Sequence, residues 1–255
     1  MFATVLLTGG CGAAVDVRVD VARSGHGSVT VQVEVPRATA AEVADLHQGL
    51  PVADLRQGGW AISGPRPGPN GSTLISASHP FSSLSQVPVL VADIAGSGPP
   101  GSAGRPFRLV VSESPGTLED RFRASGAVDL HCSLSCFDDP GLAQAVGYPL
   151  GAPQAELARL LGPRPGRDLT FRFELALPGH VTQANTAARA APGDLVWAVE
   201  LGRARSLAAT TESVNTAFVV DLLLAVGAGA LVVATSAAWL LRRRRRGPAS
   251  VTAPE

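Results

Sequence analysis

The sequence contains no lysine. All 21 basic residues are arginine, and 21 acidic residues balance them to a formal charge of zero. A neutral chain lacks the basic excess that nucleic-acid binding draws on. Aromatic residues make up only 5%, with one tyrosine and one methionine, yet 45% of residues are apolar, too many for a disordered chain. Three cysteines in 255 residues are too few for a disulfide framework. Signatures of chemistry are missing as well: there is no phosphate loop, no G-x-G-x-x-G and no G-x-S-x-G. His26, His47, His79, His131 and His180 are scattered, with no pair at the i, i+4 spacing of a zinc helix. The expectation is a protein that is not an enzyme and uses no cofactor, metal or nucleic acid.

What is present is concentrated at the two ends. Leu222 to Leu241 is an unbroken run of 20 non-ionisable residues. As a helix it spans roughly 30 Å, the thickness of a bilayer core. Arg242, Arg243, Arg244, Arg245 and Arg246 follow at once. They set the topology, because the positive-inside rule places the C-terminus in the cytoplasm and everything before residue 217 outside. Asp221 stands at the outer edge, one turn from headgroup water, and Gly227 and Gly229 do not form a G-x-x-x-G dimer pair.

The N-terminal end, MFATVLLTGGCG, is a short apolar stretch running through small residues to Cys11. This resembles the tail of an export signal of the lipoprotein type, in which the cysteine carries a diacylglycerol. Lipidation of Cys11, a plain signal remnant and a free cysteine all fit it, and each supports export. From Cys11 to Val15 the tether is at most ~14 Å, so a domain held at both ends would sit on the outer leaflet.

Between the ends the charge tilts acidic, with 16 arginines against 19 carboxylates from Gly12 to Thr216. Val15, Val17, Val19 and Val21 alternate with polar residues, as do Val29, Val31, Val33 and Val35 beyond Gly25-His26-Gly27. Period two on both sides of a Gly-rich turn predicts a hairpin with one buried face. Thr39 to Glu42 is a capping box that opens a helix ended by Gly49 and Pro51. Further helices are expected over Ser82 to Ala95, from Asp139-Pro140, and from Pro153 to Leu161.

Strands are expected at Trp60 to Ile62, Thr73 to Ala77, Arg105 to Ser112, Leu118 to Leu130, Leu169 to Leu177, Leu195 to Leu201 and Ser206 to Thr211, with Gly64 to Gly71 as loop. Strand pairs separated by helices predict an α+β fold, an antiparallel sheet with helices packed on one face, followed by the C-terminal transmembrane helix. Trp60, Phe107, Phe122, Phe171, Phe173 and Trp197 are spaced as core. Arg121, Arg123 and Arg172 fit either a contact with lipid headgroups or a solvated strand face, and are read as the latter. The segments are 1–11 signal-like, 12–216 external domain, 217–241 transmembrane and 242–255 cytoplasmic tail.

His131-Cys132-x3-Cys136-x-Asp138-Asp139 is the densest cluster of reactive residues. A disulfide between Cys132 and Cys136, two buried free thiols, and a metal or thiol site are all compatible with it.

One resemblance gathers these pieces. A cysteine at a signal end precedes an alternating hairpin. Then come Asp54-Leu55-Arg56, Gly59-Trp60, Pro80-Phe81, Phe107-Arg108-Leu109, Phe122, Gly126, Val128-Asp129-Leu130, Leu177-Pro178-Gly179, Asn185 and Trp197, before an Arg-ended apolar helix. In that order the residues resemble the LppM-like domain family of actinobacterial envelope lipoproteins, over roughly Cys11 to Leu241. The resemblance implies an exported α+β domain and, from its mycobacterial member, binding of phosphatidylinositol mannosides and a place at the host–pathogen interface. It carries over no binding residue. The sequence therefore leads to the expectation of a single-pass, cell-envelope membrane protein that binds lipid or glycolipid between sheet and helices at the outer leaflet. The alternative is a scaffold for other envelope proteins.

Overall fold

The computed structural model describes residues 13–37, 53–94, 106–131, 169–186, 188–190 and 193–245. Cys11, Cys132, Cys136, Asp138, Asp139 and Arg246, and the helices expected from Thr39, Asp139 and Pro153, lie outside the described residues. The chain divides into two units, Met1–Ser114 with Arg121–Ser213, and Pro115–Asp120 with Val214–Glu255.

The first unit is built of ten strands, two of which run on into the second unit. β1 (Ala13–Val21) and β2 (Gly27–Val35) form the expected hairpin, with Val17 opposite Val31 and Val19 opposite Val29. A short helix, α1 (Ala53–Gln57), leads into β3 (Ala61–Pro67) and β4 (Thr73–Phe81). A 3-10 turn at Leu84–Gln86 then feeds α2 (Val87–Asp93). Pro88 sits in the first turn of α2, where its missing N–H costs nothing. β5 (Phe107–Ser114) and β6 (Glu119–Asp129) pair antiparallel. β7 (Leu169–Ala176), β8 (His180–Ala184), β9 (Asp194–Val199) and β10 (Ala204–Val214) complete the set.

These strands make two sheets, not the one expected. A six-stranded sheet runs β3-β4-β2-β1-β7-β9, and a four-stranded sheet runs β5-β6-β10-β8. The pairing is mostly antiparallel, but β1 lies parallel to β7, with Val17 opposite Phe173. Nor do the described helices form a layer over a sheet. α2 packs beside β5 and buries Val87, Leu90, Val91 and Ala92. Sheet faces sheet instead, and the apolar alternation of both fills one core.

Val17, Val19, Phe171, Phe173 and Leu175 from the six strands meet Phe107, Leu109, Val128 and Leu207 from the four. Phe107 stacks on Phe171 across the gap, with ring centroids 5.2 Å apart. The six aromatics read as core are all buried. Each such side chain, fully buried, contributes about 1.5–3 kcal/mol. Two glycines mark where backbones touch. A Cβ on Gly126 would fall 2.1 Å from the Arg108 carbonyl oxygen. One on Gly179, which also holds φ +90°, would fall 2.1 Å from that of Glu212.

The second unit joins the tip of the β5–β6 hairpin to α3 (Thr216–Arg245), a 30-residue helix. Within it Phe218–Trp239 is long and apolar enough to cross a membrane, 22 residues of mean hydropathy 2.3. Asn215 is its N-cap. The Asn215 side-chain oxygen accepts from Phe218 N–H at 3.1 Å, satisfying one of the helix's unpaired first donors. The Asn215 amide nitrogen donates to the Gly116 carbonyl at 2.9 Å, and its backbone N–H donates to the Leu118 carbonyl at 2.8 Å.

Candidate functional site

The outer face of the four-stranded sheet carries a shallow, open groove of about 480 Å³. Its floor comes from four strands, with Ser112 on β5, Arg123, Ala124 and Ser125 on β6, Gln183 and Ala184 on β8, and Ala208, Ala209 and Thr210 on β10. Two causes make it concave. Side chains on this stretch are small, chiefly Ser, Ala and Thr. The β8–β10 ladder also slips register between Thr210 and Thr211, and a bulge of this kind bends the strand.

The polar groups on this floor are uncommitted. Among the described residues, the side chains of Ser112, Arg123, Ser125, Gln183 and Thr210 form no hydrogen bond or ion pair with protein. Arg123 stands opposite Ser112 in the ladder. By contrast Arg121, one pleat along the same face, is held by Glu212 at 2.6 Å. The groove thus offers a free planar guanidinium, suited to bidentate binding of a phosphate or carboxylate, beside hydroxyls and an amide that can donate or accept.

One wall is anchored to a buried indole by an exposed asparagine. Asn185, just past β8, accepts from the Trp197 indole N–H at 2.8 Å and from Ala208 N–H at 3.0 Å. The Asn185 amide donates to the Ser206 carbonyl at 2.9 Å. Trp197 belongs to the other sheet and is 1% exposed, so this amide ties the groove wall through the core to β9.

The outer face of the six-stranded sheet has the opposite sign. It sets Asp16, Asp20, Glu34, Glu174 and Asp194 against Arg18 and Arg172. Arg18 reaches Asp20 at 2.8 Å, Glu174 at 3.1 Å and Asp194 at 3.2 Å. Arg172 grips both oxygens of Asp16, at 2.6 and 2.9 Å. The hydrogen bond to Asp20, with the charges of Asp20 and Asp194, raises the Arg18 guanidinium above its ordinary value, and Asp16 does the same for Arg172. Both arginines are consumed by these pairs and offer nothing to a ligand.

The expected site residues fall as follows. Arg121 and Arg172 are ion-paired, not simply solvated, and Arg123 alone of the three faces the groove. His131 meets Asp129: its backbone N–H donates to the carboxylate at 3.1 Å and its ring nitrogen lies 2.7 Å away. Those two bonds hold the Asp129 carboxyl below its usual range. Asp138, the partner His131 would need for chemistry, is outside the described residues, as are Cys11, Cys132 and Cys136. Arg242, Arg243, Arg244 and Arg245 continue the backbone helix of α3. Among the described residues no three His, Cys, Asp or Glu converge as a metal site. The groove itself escaped sequence reading, since Ser, Ala, Thr and Gln on four separate strands form no motif.

Comparison with solved structures finds the NMR structure of the folded domain of LppM from Mycobacterium tuberculosis. The match covers 84% of this chain and 96% of that one, at 14% identity and a TM-score of 0.42, a distant likeness. No family model and no curated protein matches the chain.

Proposed function

We propose that this chain is a single-pass cell-envelope membrane protein whose external domain binds the headgroup of a lipid or glycolipid at the outer leaflet, without catalysis. The observation that carries this reading is the groove, where the unpaired Arg123 sits among uncommitted hydroxyls and an amide. Phosphate suits the guanidinium, and a polyol suits Ser112, Ser125, Gln183 and Thr210. An anionic, hydroxyl-rich headgroup combines the two. In this reading the ligand lies on the outer face of the four-stranded sheet, where the sequence led us to expect it between sheet and helices. Membrane attachment is supported by the 22-residue apolar stretch of α3 and the five arginines that follow it, which orient the C-terminus to the cytoplasm.

The test uses the full chain extracted in mild detergent and transferred to nanodiscs containing phosphatidylinositol in a phosphatidylcholine background. Native mass spectrometry after release should find phosphatidylinositol retained by the wild type over phosphatidylcholine. Arg123→Gln should lose that preference roughly ten-fold, the value of one charge-assisted contact of about 1.5 kcal/mol. Equal retention of both lipids by wild type and variant would sink the headgroup site. Recovery of a crosslinked envelope protein in place of lipid would turn the groove into a scaffold surface.

A further inference from the structure

The hairpin tip Pro115–Asp120 carries an apolar side chain that the protein does not cover. Leu118 is 60% exposed at the end of a hairpin whose neighbouring residues are Gly, Thr and acidic. Its location is tightly set. Asn215 binds the Leu118 carbonyl through its backbone N–H and the Gly116 carbonyl through its amide, while capping the first turn of α3. Asp120 reinforces the tip by accepting from Gly116 N–H at 3.2 Å. Wherever the start of α3 lies, Leu118 lies within a hydrogen bond of it.

The start of α3 has a defined depth once the helix crosses a bilayer. A 22-residue stretch rises about 33 Å, which fills a hydrocarbon core of about 30 Å. Phe218 then marks the edge of that core, and Asn215, three residues earlier, stands about 4.5 Å outside it. Leu118 is forced to the same level. Val214 and Val220, on either side of the cap, are 51% and 53% exposed. Leu118, Val214 and Val220 are thus three exposed aliphatic side chains on the tip and on the residues next to the cap.

We propose that the hairpin tip is a second membrane contact. Asn215 clamps Pro115–Asp120 to the first turn of α3, and Leu118 inserts at the boundary between headgroups and acyl chains. The proposal rests on α3 spanning the membrane, as proposed above, but does not depend on what the groove binds. Its occupant is the lipid surface itself, and the clamp makes the joint a two-point contact in place of a single flexible strand.

The experiment uses the full chain in phosphatidylcholine vesicles whose lipids are brominated either near the glycerol or near the chain ends. Trp60 and Trp197 are 6% and 1% exposed, so lipid bromines leave their emission unchanged. Wild type against Trp239→Phe reports the helix, and Trp239→Phe/Leu118→Trp against Trp239→Phe reports the tip. The tip indole should be quenched strongly by shallow bromines and weakly by deep ones. Asn215→Ser keeps a capping oxygen but loses the amide donor, so it should weaken quenching at the tip while leaving Trp239 unchanged. If Trp239 is quenched and the tip is not, the tip contact is wrong and the membrane span stands. If neither is quenched, the span and the tip contact fall together. A blue-shifted tip indole that bromines do not reach would place Leu118 against protein and also overturn the proposal.

Discussion

Asn185→Ala is the substitution that tests most directly how the two sheets are joined. It leaves the Trp197 indole N–H, in a side chain 1% exposed, without its acceptor, and removes the amide that bonds to Ser206 and Ala208. The groove side of this network is solvated, so water replaces the Ser206 and Ala208 bonds at small cost. The indole has no such recourse. An orphaned buried donor costs about 1–3 kcal/mol, and adding roughly 0.5 kcal/mol for the solvated bonds gives a loss of about 1.5–3.5 kcal/mol. For a unit of this size 1 kcal/mol moves Tm by about 2–4 °C, so the expected drop is roughly 3–14 °C.

The sharper form is a double-mutant cycle with Trp197→Phe, read by far-ultraviolet circular dichroism of the full chain in detergent. Trp197→Phe removes the donor itself, so Asn185→Ala should cost about 1–2 kcal/mol less in that background than in the wild type. Additivity within about 0.5 kcal/mol would refute the reasoning, because it would mean that the two side chains do not share the bond.

The charged face of the six-stranded sheet supplies a second prediction. Arg18→Met strands Asp20, Glu174 and Asp194 around an uncharged side chain. Their exposures of 40%, 21% and 16% lie between surface and core, so a loss of about 1–3 kcal/mol is expected in chemical denaturation. Adding Asp194→Asn should recover part of it, and no recovery would show that packing, not charge, carries the effect. A third prediction concerns acid. Asp129 is held below its ordinary value by the His131 backbone N–H and ring, so its ionised form favours the fold. That contribution is fully present above the unfolded carboxylate value of about 3.9 and is lost as pH falls through the lower folded value. Asp129→Asn should therefore flatten the acid limb of a midpoint-against-pH curve below about pH 4. Superimposable limbs for variant and wild type would contradict it.

The parts of this molecule that were legible in its sequence are those where periodicity alone decides. Alternating valines specify which side of β1 and β2 is buried, and a run of 20 non-ionisable, mostly apolar residues specifies α3. Alternation encodes a face but not a direction, which is why the parallel β1–β7 pair was invisible. Nor does it say whether a buried face meets a helix or a second sheet. β8 has only Val181 as an apolar residue before Ala184 and is an edge strand with little burial, so it has no pattern to detect. The start of β3 was expected at Trp60 to Ile62, but its second half was hidden by the opposite signal. Its Gly64-Pro65-Arg66-Pro67 reads as loop, yet a sheet edge tolerates prolines, and the β3 ladder breaks register between Ser63 and Arg66 to accommodate them.

The resemblance residues that the structure describes turn out to have mechanical reasons. Gly126 and Gly179 lie where a side chain would strike backbone, and Asn185 meets Trp197 across the core. Asn185 lines the groove but spends its amide on protein, on Trp197, Ala208 and Ser206. If the groove binds a headgroup as proposed, its specificity would rest on Ser112, Arg123, Ser125, Gln183 and Thr210, whose side chains the protein leaves uncommitted. The same logic explains why the neutral overall charge revealed so little. Carboxylates gather on one sheet face and are neutralised there only in part, while the other face keeps Arg123 unpaired. Summed over the chain the charges cancel, and what separates a spent guanidinium from an available one is which face its strand presents.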